Sequence, residues 1–327
     1  MASVPTDISL TYSAVGIRED LSNVIYSIAP MDTPFLSGCG KATADNTHFE
    51  WQTDTIAGGS ANRQKEGEDP DNDARANPVR VGNRTQISRY VIQTSGTNEA
   101  VDYAGRKSSQ AYQLAKKAKQ MKRDMEFMLT SNVPSSAGSA SPAAARATGG
   151  LSCWIGTNYH SIGTGSPAGA AAVGANGTAA PTDAPATVSI TEAGIKKVIK
   201  ECFDSGGEPD MIMCKSPQKQ AISALTQTVS ELRTSTKGDA PAHVVAAVDV
   251  YVSDFGTFKI VPNRNQFRSR DVFFLDMDFW AVAYLRPFST QPLAKTGDSV
   301  RQMLLAEYGL MSKNEKSSGF LADVADN

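Results

Sequence analysis

At 327 residues the chain can hold one large domain or two ordinary ones, with ample core. With 32 Lys and Arg against 34 Asp and Glu the net charge is −2, which excludes a general attraction to nucleic acid or anionic membrane. No run nears the ~20 apolar residues that cross a bilayer, no basic and apolar leader opens the chain, and Cys39, Cys153, Cys202 and Cys214 form no CxxC pair. A soluble protein of a reducing cytosol with free thiols is expected.

Residues 1–38 read as an extended arm, with a short helix over Ile17 to Ile28 ended by Pro30. Thr33-Pro34 predicts an extended turn, in which Phe35 and Leu36 form an apolar anchor. Thr47 to Thr53 alternates Phe49 and Trp51 with His48, Glu50 and Gln52, the pattern of a half-buried strand. An arm with little core of its own buries such anchors elsewhere, so Phe35 and Trp51 are expected on a neighbouring subunit or on the chain's own body.

Residues 58–96 form a long polar excursion. Glu66, Glu68, Asp69, Asp71 and Asp73 make an acidic block, and Arg75, Arg80, Arg84 and Arg89 make a basic return. A solvated loop is the ordinary reading, yet structureless loops of this length are uncommon in compact domains and tend to be functional. Thr85 to Thr94 is rich in β-branched and aromatic residues, which predicts a hairpin arm. The acidic and basic blocks could neutralise one another within the hairpin or pair between subunits.

Thr97 to Asn132 reads as one long helix. Leu114, Ala118, Met121, Met125 and Met128 draw an apolar stripe, and Lys116, Lys117, Lys119, Lys122 and Arg123 lie mostly off it. About 25 residues at ~1.5 Å each make a rod of roughly 38 Å. Residues 132–150 read as a Ser/Ala/Gly/Pro-rich linker, Leu151 to Ile155 resumes apolar structure, and 161–187 reads as a surface excursion. An α/β pattern follows, with a helical face through Ile195, Val198, Ile199, Cys202 and Phe203 stopped at Gly206-Gly207. Met211 to Cys214 predicts a strand, and Ser216-Pro217 caps a helix running to Leu232. Val248 to Ser253, Phe258 to Val261, Val272 to Leu275, Trp280 to Leu285 and Met303 to Met311 predict further strands. The fold class is α+β, with its strands concentrated late.

Catalytic signatures are scarce. His48, His160 and His243 are isolated, and no HExxH, GxSxG or Walker-type motif occurs. Gly297-Asp298-Ser299 reads as a turn, and Gly206-Gly207 ends a helix instead of opening one. Asp271, Asp276 and Asp278 could bind Mg²⁺ as a metal-dependent hydrolase would, although they flank strand ends where carboxylates stay solvated. No catalytic residue, metal or cofactor is assigned.

Several strings carry a family resemblance. They are APMDTPFLSGCGKATADNTHFEWQTD, RQKEGEDPD, GNRTQISRYVIQTSGT and RKSSQAYQLAKKAKQMKRDMEF early in the chain. VYVSDFGTFKIVPNR, VFFLDMDFWAVAYLRPFSTQPLAKTGDS and EYGLMSKNEKSSGFL follow late. With these the chain resembles tailed-phage major capsid proteins of the HK97-type shell fold, in the SU10 group, nearly end to end. The resemblance implies an N-arm over 1–57, an extended loop or E-loop over 58–96, and a peripheral domain with its spine helix over 97–150. It further implies an axial domain over 151–284 and a return to the peripheral domain over 285–327. It implies copies of the chain as hexamers and pentamers of an icosahedral shell around double-stranded DNA, with no sequence-specific contact and no membrane. Scaffolding, portal and decoration proteins are further partners of such a shell, and the virion is its destination after synthesis in host cytoplasm. Arg18 alone against Asp7, Glu19 and Asp20 leaves no basic arm to condense RNA. An encapsulin-like nanocompartment shell is the alternative within the same fold.

Overall fold

The computed structural model describes residues 32–56, 58–67, 69, 77–103, 105, 107–141, 143–163, 176–229 and 249–326. The expected helix at Ile17 to Ile28 lies outside the described residues. In chain order the first half comprises α1 (Pro34–Gly38), β1 (Gly40–Thr43), β2 (His48–Thr53), β3 (Val79–Arg84), β4 (Gln86–Ser95), α2 (Gly96–Ala100), α3 (Ser109–Leu129), β5 (Ser139–Ala140) and β6 (Ala143–Ala144). The second half comprises β7 (Tyr159–Ser161), α4 (Glu192–Asp204), β8 (Met211–Cys214), α5 (Ser216–Val229), β9 (Val250–Ser253), β10 (Gly256–Pro262), β11 (Val272–Leu275), β12 (Trp280–Pro292), β13 (Ser299–Ser312) and β14 (Gly319–Ala322). No described helix is long and apolar enough to cross a membrane. All four cysteines are free and buried.

Two sheets carry the architecture. One has the order β1-β12-β13-β4, and the other has the order β7-β14-β11-β8-β10-β9. Strands β8 and β11 are buried along their whole length because both their faces are covered, which is why MIMC and VFFL read as unbroken apolar runs. Met211, Met213, Phe273 and Leu275 enter one core with Met121, Met125 and Leu129 of α3 and Trp280, Leu304 and Leu310 of the four-stranded sheet. Ile212, Cys214, Val272 and Phe274 point the other way, onto Ile195, Val198 and Ile199 of α4 and Ile222 of α5. The period of two in the strands thus places alternate residues in separate cores.

The rod differs from its sequence expectation at both ends. Gly105 sits at φ 77°, a left-handed conformation that interrupts a helix, so the predicted single rod is two helices. Ser95 caps α2 by accepting from the Asn98 amide, and Ser108 caps α3 by accepting from Ala111. The 21 residues of α3 make a rod of about 32 Å. Its buried stripe ends on Leu129 instead of Met128, which is half-buried. The cause is the 3.6-residue period, which carries the next core position four residues beyond Met125.

Other expectations are also corrected. Thr33-Pro34 opens the short helix α1 with Pro34 in its first turn, where proline's missing N–H costs nothing. Residues 132–150 are not a bare linker, since β5 and β6 pair as a small hairpin with a bridge between Ser136 and Ala147. Strand β4 belongs to the four-stranded sheet, paired with β13 from Ser95↔Ser299 to Gln86↔Tyr308. The hairpin of the polar excursion is made of β2 and β3, in register from His48↔Arg84 to Thr53↔Val79. Strands β12 and β13 run well past their predicted limits, and β14 returns to the six-stranded sheet, between β7 and β11.

Candidate inter-subunit surface

The β2–β3 hairpin is pinned at its root. Asn83, fully buried at the end of β3, donates from Nδ2 to the Leu310 carbonyl at 2.7 Å and to Thr148 Oγ1 at 3.1 Å. Its Oδ1 accepts from the amides of Arg84 at 2.8 Å and Gly149 at 2.9 Å. Two residues on, Thr85 Oγ1 donates to Glu307 Oε1 at 2.8 Å. Glu307 is itself buried between two guanidiniums, Arg146 Nη2 at 2.5 Å and Arg286 Nε at 2.8 Å. A buried carboxylate with two cations and a hydroxyl has its charge and lone pairs satisfied, which makes this clamp rigid.

Gly309 lets the hairpin lie down on β13. A Cβ there would stand 2.6 Å from the Phe49 ring and 2.9 Å from the Arg84 carbonyl, so any side chain forces the hairpin root off the sheet. Gly309→Ala should therefore lower the melting temperature by several degrees and expose Phe49 and Trp51. Tryptophan fluorescence and thermal melts read both effects, and an unchanged spectrum at an unchanged melting temperature would refute the packing.

Trp51 stacks on Phe49, with ring centroids 5.7 Å apart, and leans on Trp154 at 5.3 Å. Half-buried in its own subunit, it keeps an indole Nε1 with no hydrogen-bond partner among the described residues. Phe35 is different. It is wholly buried in the α3 core, 6.1 Å from the Trp280 ring, so the neighbouring-subunit option for Phe35 is corrected to an anchor within the chain. The sequence reading missed its companion. Glu126 of α3 is fully buried and accepts from the amides of Phe35 at 3.0 Å and Leu36 at 2.7 Å, and from Asn263 Nδ2 at 2.6 Å. Thr33 makes no side-chain cap, so a carboxylate 91 residues away caps α1 in its place. Burial pushes the Glu126 carboxyl upward, against the pull of these three donors.

The charged blocks are only partly brought together. Glu66 and Asp69 are exposed and make no ion pair among the described residues; Glu68, Asp71, Asp73 and Arg75 lie outside them. Arg80 pairs within the hairpin, its Nε 3.2 Å from Glu50 Oε1, a partner the sequence reading placed only in the strand pattern. At Gly82 a Cβ would meet Glu50 Cγ at 2.7 Å, so the glycine leaves room for that carboxylate to cross β3. Arg84 is half-buried opposite His48, and Arg89 is exposed on the outer face of β4. Beyond the root, residues 54–56 and 58–67 are exposed throughout and lack regular structure, and Ile56 is fully exposed. Between root and body lies a groove of ≈ 410 Å³ lined in part by Val79, Arg80, Trp154, Ser312 and Lys316.

The three aspartates do not form a metal site. Asp271 precedes β11 and Asp276 follows it, so a four-residue strand of about 13 Å separates them. Asp276 instead accepts from the Asp278 amide at 3.2 Å, capping a short turn of helix over Met277–Phe279.

The comparisons with known proteins agree with this architecture. The family model described as SU10 major capsid protein matches residues 4–325. The chain belongs to the SU10 major capsid protein family. It is similar to the major capsid protein of Escherichia phage Phieco32, 27% identical over 97% of each chain. Among solved structures it is similar to the capsid of a native GTA particle, with TM-score 0.63, 11% identity and 97% and 99% coverage of the two chains. The cyanophage A-1(L) capsid gives 0.60, 12%, 94% and 97%. The holo-SrpI encapsulin complex of Synechococcus elongatus PCC 7942 gives 0.54, 9%, 93% and 93%. At such identities these structures speak to the fold alone, which is α+β and HK97-like. The protein is a tailed-phage capsid shell protein and a virion component.

Proposed function

We propose that the chain is a purely structural, non-catalytic subunit. In this reading it is made in host cytoplasm and forms hexamers and pentamers of an icosahedral head around double-stranded DNA. Scaffolding, portal and decoration proteins complete the particle. The observation that carries the reading is the root-clamped hairpin whose described residues just beyond β2, 54–56 and 58–67, are exposed throughout. An isolated two-stranded ribbon is marginal in water, so the exposed residues 54–56 and 58–67 gain buried contacts by lying on a neighbouring copy. In this reading the N-arm reaches to about residue 47 and the E-loop spans roughly 48–85. The peripheral domain combines α2, α3 and the four-stranded sheet, and the axial domain combines the six-stranded sheet with α4 and α5. The separation of Asp271 from Asp276 along β11 argues against the metal-dependent hydrolase alternative. An encapsulin-like shell differs only in what it encloses, and nuclease-protected DNA in purified particles separates the two.

The hairpin charges supply the test. Arg80→Glu with Arg84→Glu sets two new carboxylates beside Glu50 and should leave the subunit folded while blocking closed shells. Electron micrographs and sedimentation of the expressed protein read the outcome. Each exposed pair is worth only ~0–1 kcal/mol, yet the lattice repeats it in every subunit. High salt should weaken assembly of the native chain in the same direction, since exposed charges are screened beyond ~8–10 Å. Normal shells from the double variant, at low and high salt alike, would refute a role for these arginines in assembly.

A further inference from the structure

A second charged cluster lies far along the chain from the hairpin, where three separate segments meet. Arg268 Nη2 is 2.5 Å from Asp183, and its Nε is 3.6 Å from Asp271 Oδ2. Arg270 reaches Asp323 at 2.6 Å, Asp183 at 3.4 Å and the Ala184 carbonyl at 3.1 Å. Asp323 in turn accepts from the Ala184 amide at 3.1 Å and from Ser161 Oγ. The loop before β11, residues 183–188 and the tail after β14 are therefore laced together by two guanidiniums and three carboxylates. Asp326 is occupied elsewhere, with Gln218 at 2.8 Å and Ser269 at 2.7 Å. Tyr159 of β7 also faces the cluster, and burial raises its phenol far enough that it stays neutral.

The cluster has one negative charge too many and lacks a donor. Asp271 is buried, and neither of its carboxylate oxygens has a hydrogen-bond partner among the described residues. A contact of 3.6 Å to Arg268 is too long to be a hydrogen bond. Gln266 Nε2 donates to the Asp271 backbone carbonyl at 2.6 Å, and its own Oε1 is buried without a partner. Buried acceptors without donors are costly. Among the described residues no three ligating side chains gather to hold a metal ion, so a cation does not answer the excess. One proton on Asp271 does. It neutralises the third carboxylate and turns one of its buried, unpaired acceptors into a donor.

We propose that Asp271 is a proton-operated clasp on the 183–188 segment. Protonated, Asp271 leaves Arg268 to Asp183, and the segment is held. Ionised, it draws the guanidinium to itself, and Asp183, the more exposed partner, keeps only its 3.4 Å contact to Arg270, which loosens the segment. Burial pushes the Asp271 carboxyl up to about 7, with Arg268 pulling the other way, so the exchange falls near neutral pH. A raised acid contributes its stability below its unfolded value near 4, and loses it as pH climbs to about 7. The fraction of released clasp should rise about tenfold between pH 6 and pH 8.

Hydrogen exchange of the Ala184 and Val188 amides in the full-length protein, corrected for intrinsic rates, tests this. Native protein should lose about tenfold in protection between pH 6 and pH 8. Asp271→Asn, neutral at both, should stay protected with no step. Arg268→Gln, which leaves the segment only its Arg270 and Asp323 contacts, should show lowered protection at both pH values with no step. A native profile without the step, or the same step retained in Asp271→Asn, overturns the proposal. Should Asp271→Asn fail to fold, the step in native protein and its loss in Arg268→Gln decide the matter.

Discussion

Met121→Asp should yield insoluble or unfolded subunits, while Lys119→Ala should be nearly silent. Met121 is fully buried in the middle of α3, in a core built from both large sheets. A carboxylate there enters an apolar core shared with Met125, Leu304 and Tyr308. The effective cost of an unpaired buried ion is several kcal/mol, a large share of the ~5–15 kcal/mol that holds a domain together. Lys119 points into water from the opposite face of the same helix. The solubility of the expressed chain and its thermal melt measure the contrast. A soluble Met121→Asp subunit with the native melting temperature would show that the α3 face is placed wrongly.

Glu126→Ala should destabilise the subunit by about 2–4 kcal/mol, since each buried donor left unpaired costs ~1–3 kcal/mol. The substitution leaves the Phe35 and Leu36 amides without an acceptor and Asn263 Nδ2 with only the weak Met213 sulfur, and it opens a void in the core. Because α1 has only five residues and no side-chain cap of its own, it cannot persist once released. Its loss would carry Phe35 out of the core. Glu126→Gln keeps one acceptor oxygen and should fall between native and Ala. A chain lacking residues 1–38 should behave like Glu126→Ala rather than as a folded, assembly-deficient subunit, because it too loses Phe35 and the capped helix. Denaturant melts rank these variants, and a truncated chain as stable as the full-length protein would refute the cap.

Periodicity alone determined much of this protein. The alternation across His48 to Thr53 appears in the half-buried Phe49 and Trp51, and the predicted face of α4 is buried at Ile195, Val198, Ile199 and Cys202, though Phe203 is exposed. Gly206, at φ 85°, ends that helix where the glycine pair placed its end. The Met211 to Cys214 and Val272 to Leu275 runs were legible as strands because burial on both faces removes polar residues from both. The family strings were legible too, and the match over residues 4–325 bears out the capsid family and its shell fold.

What the sequence did not show depends on residues far apart in the chain. Glu126 sits among lysines and methionines with nothing local to mark it as a cap, and its partners lie 90 and 91 residues earlier. Glu307 is one acid in an apolar strand until Arg146 and Arg286 arrive from two other segments. Arg80 finds Glu50 only because β2 and β3 are in a particular register, and a shift of one residue would send the side chains to opposite faces. Local spacing decides which face of a helix or strand is apolar. Only the packed chain decides which distant donor meets a buried carboxylate, because the cost of leaving it unpaired is settled by tertiary neighbours and not by sequence neighbours.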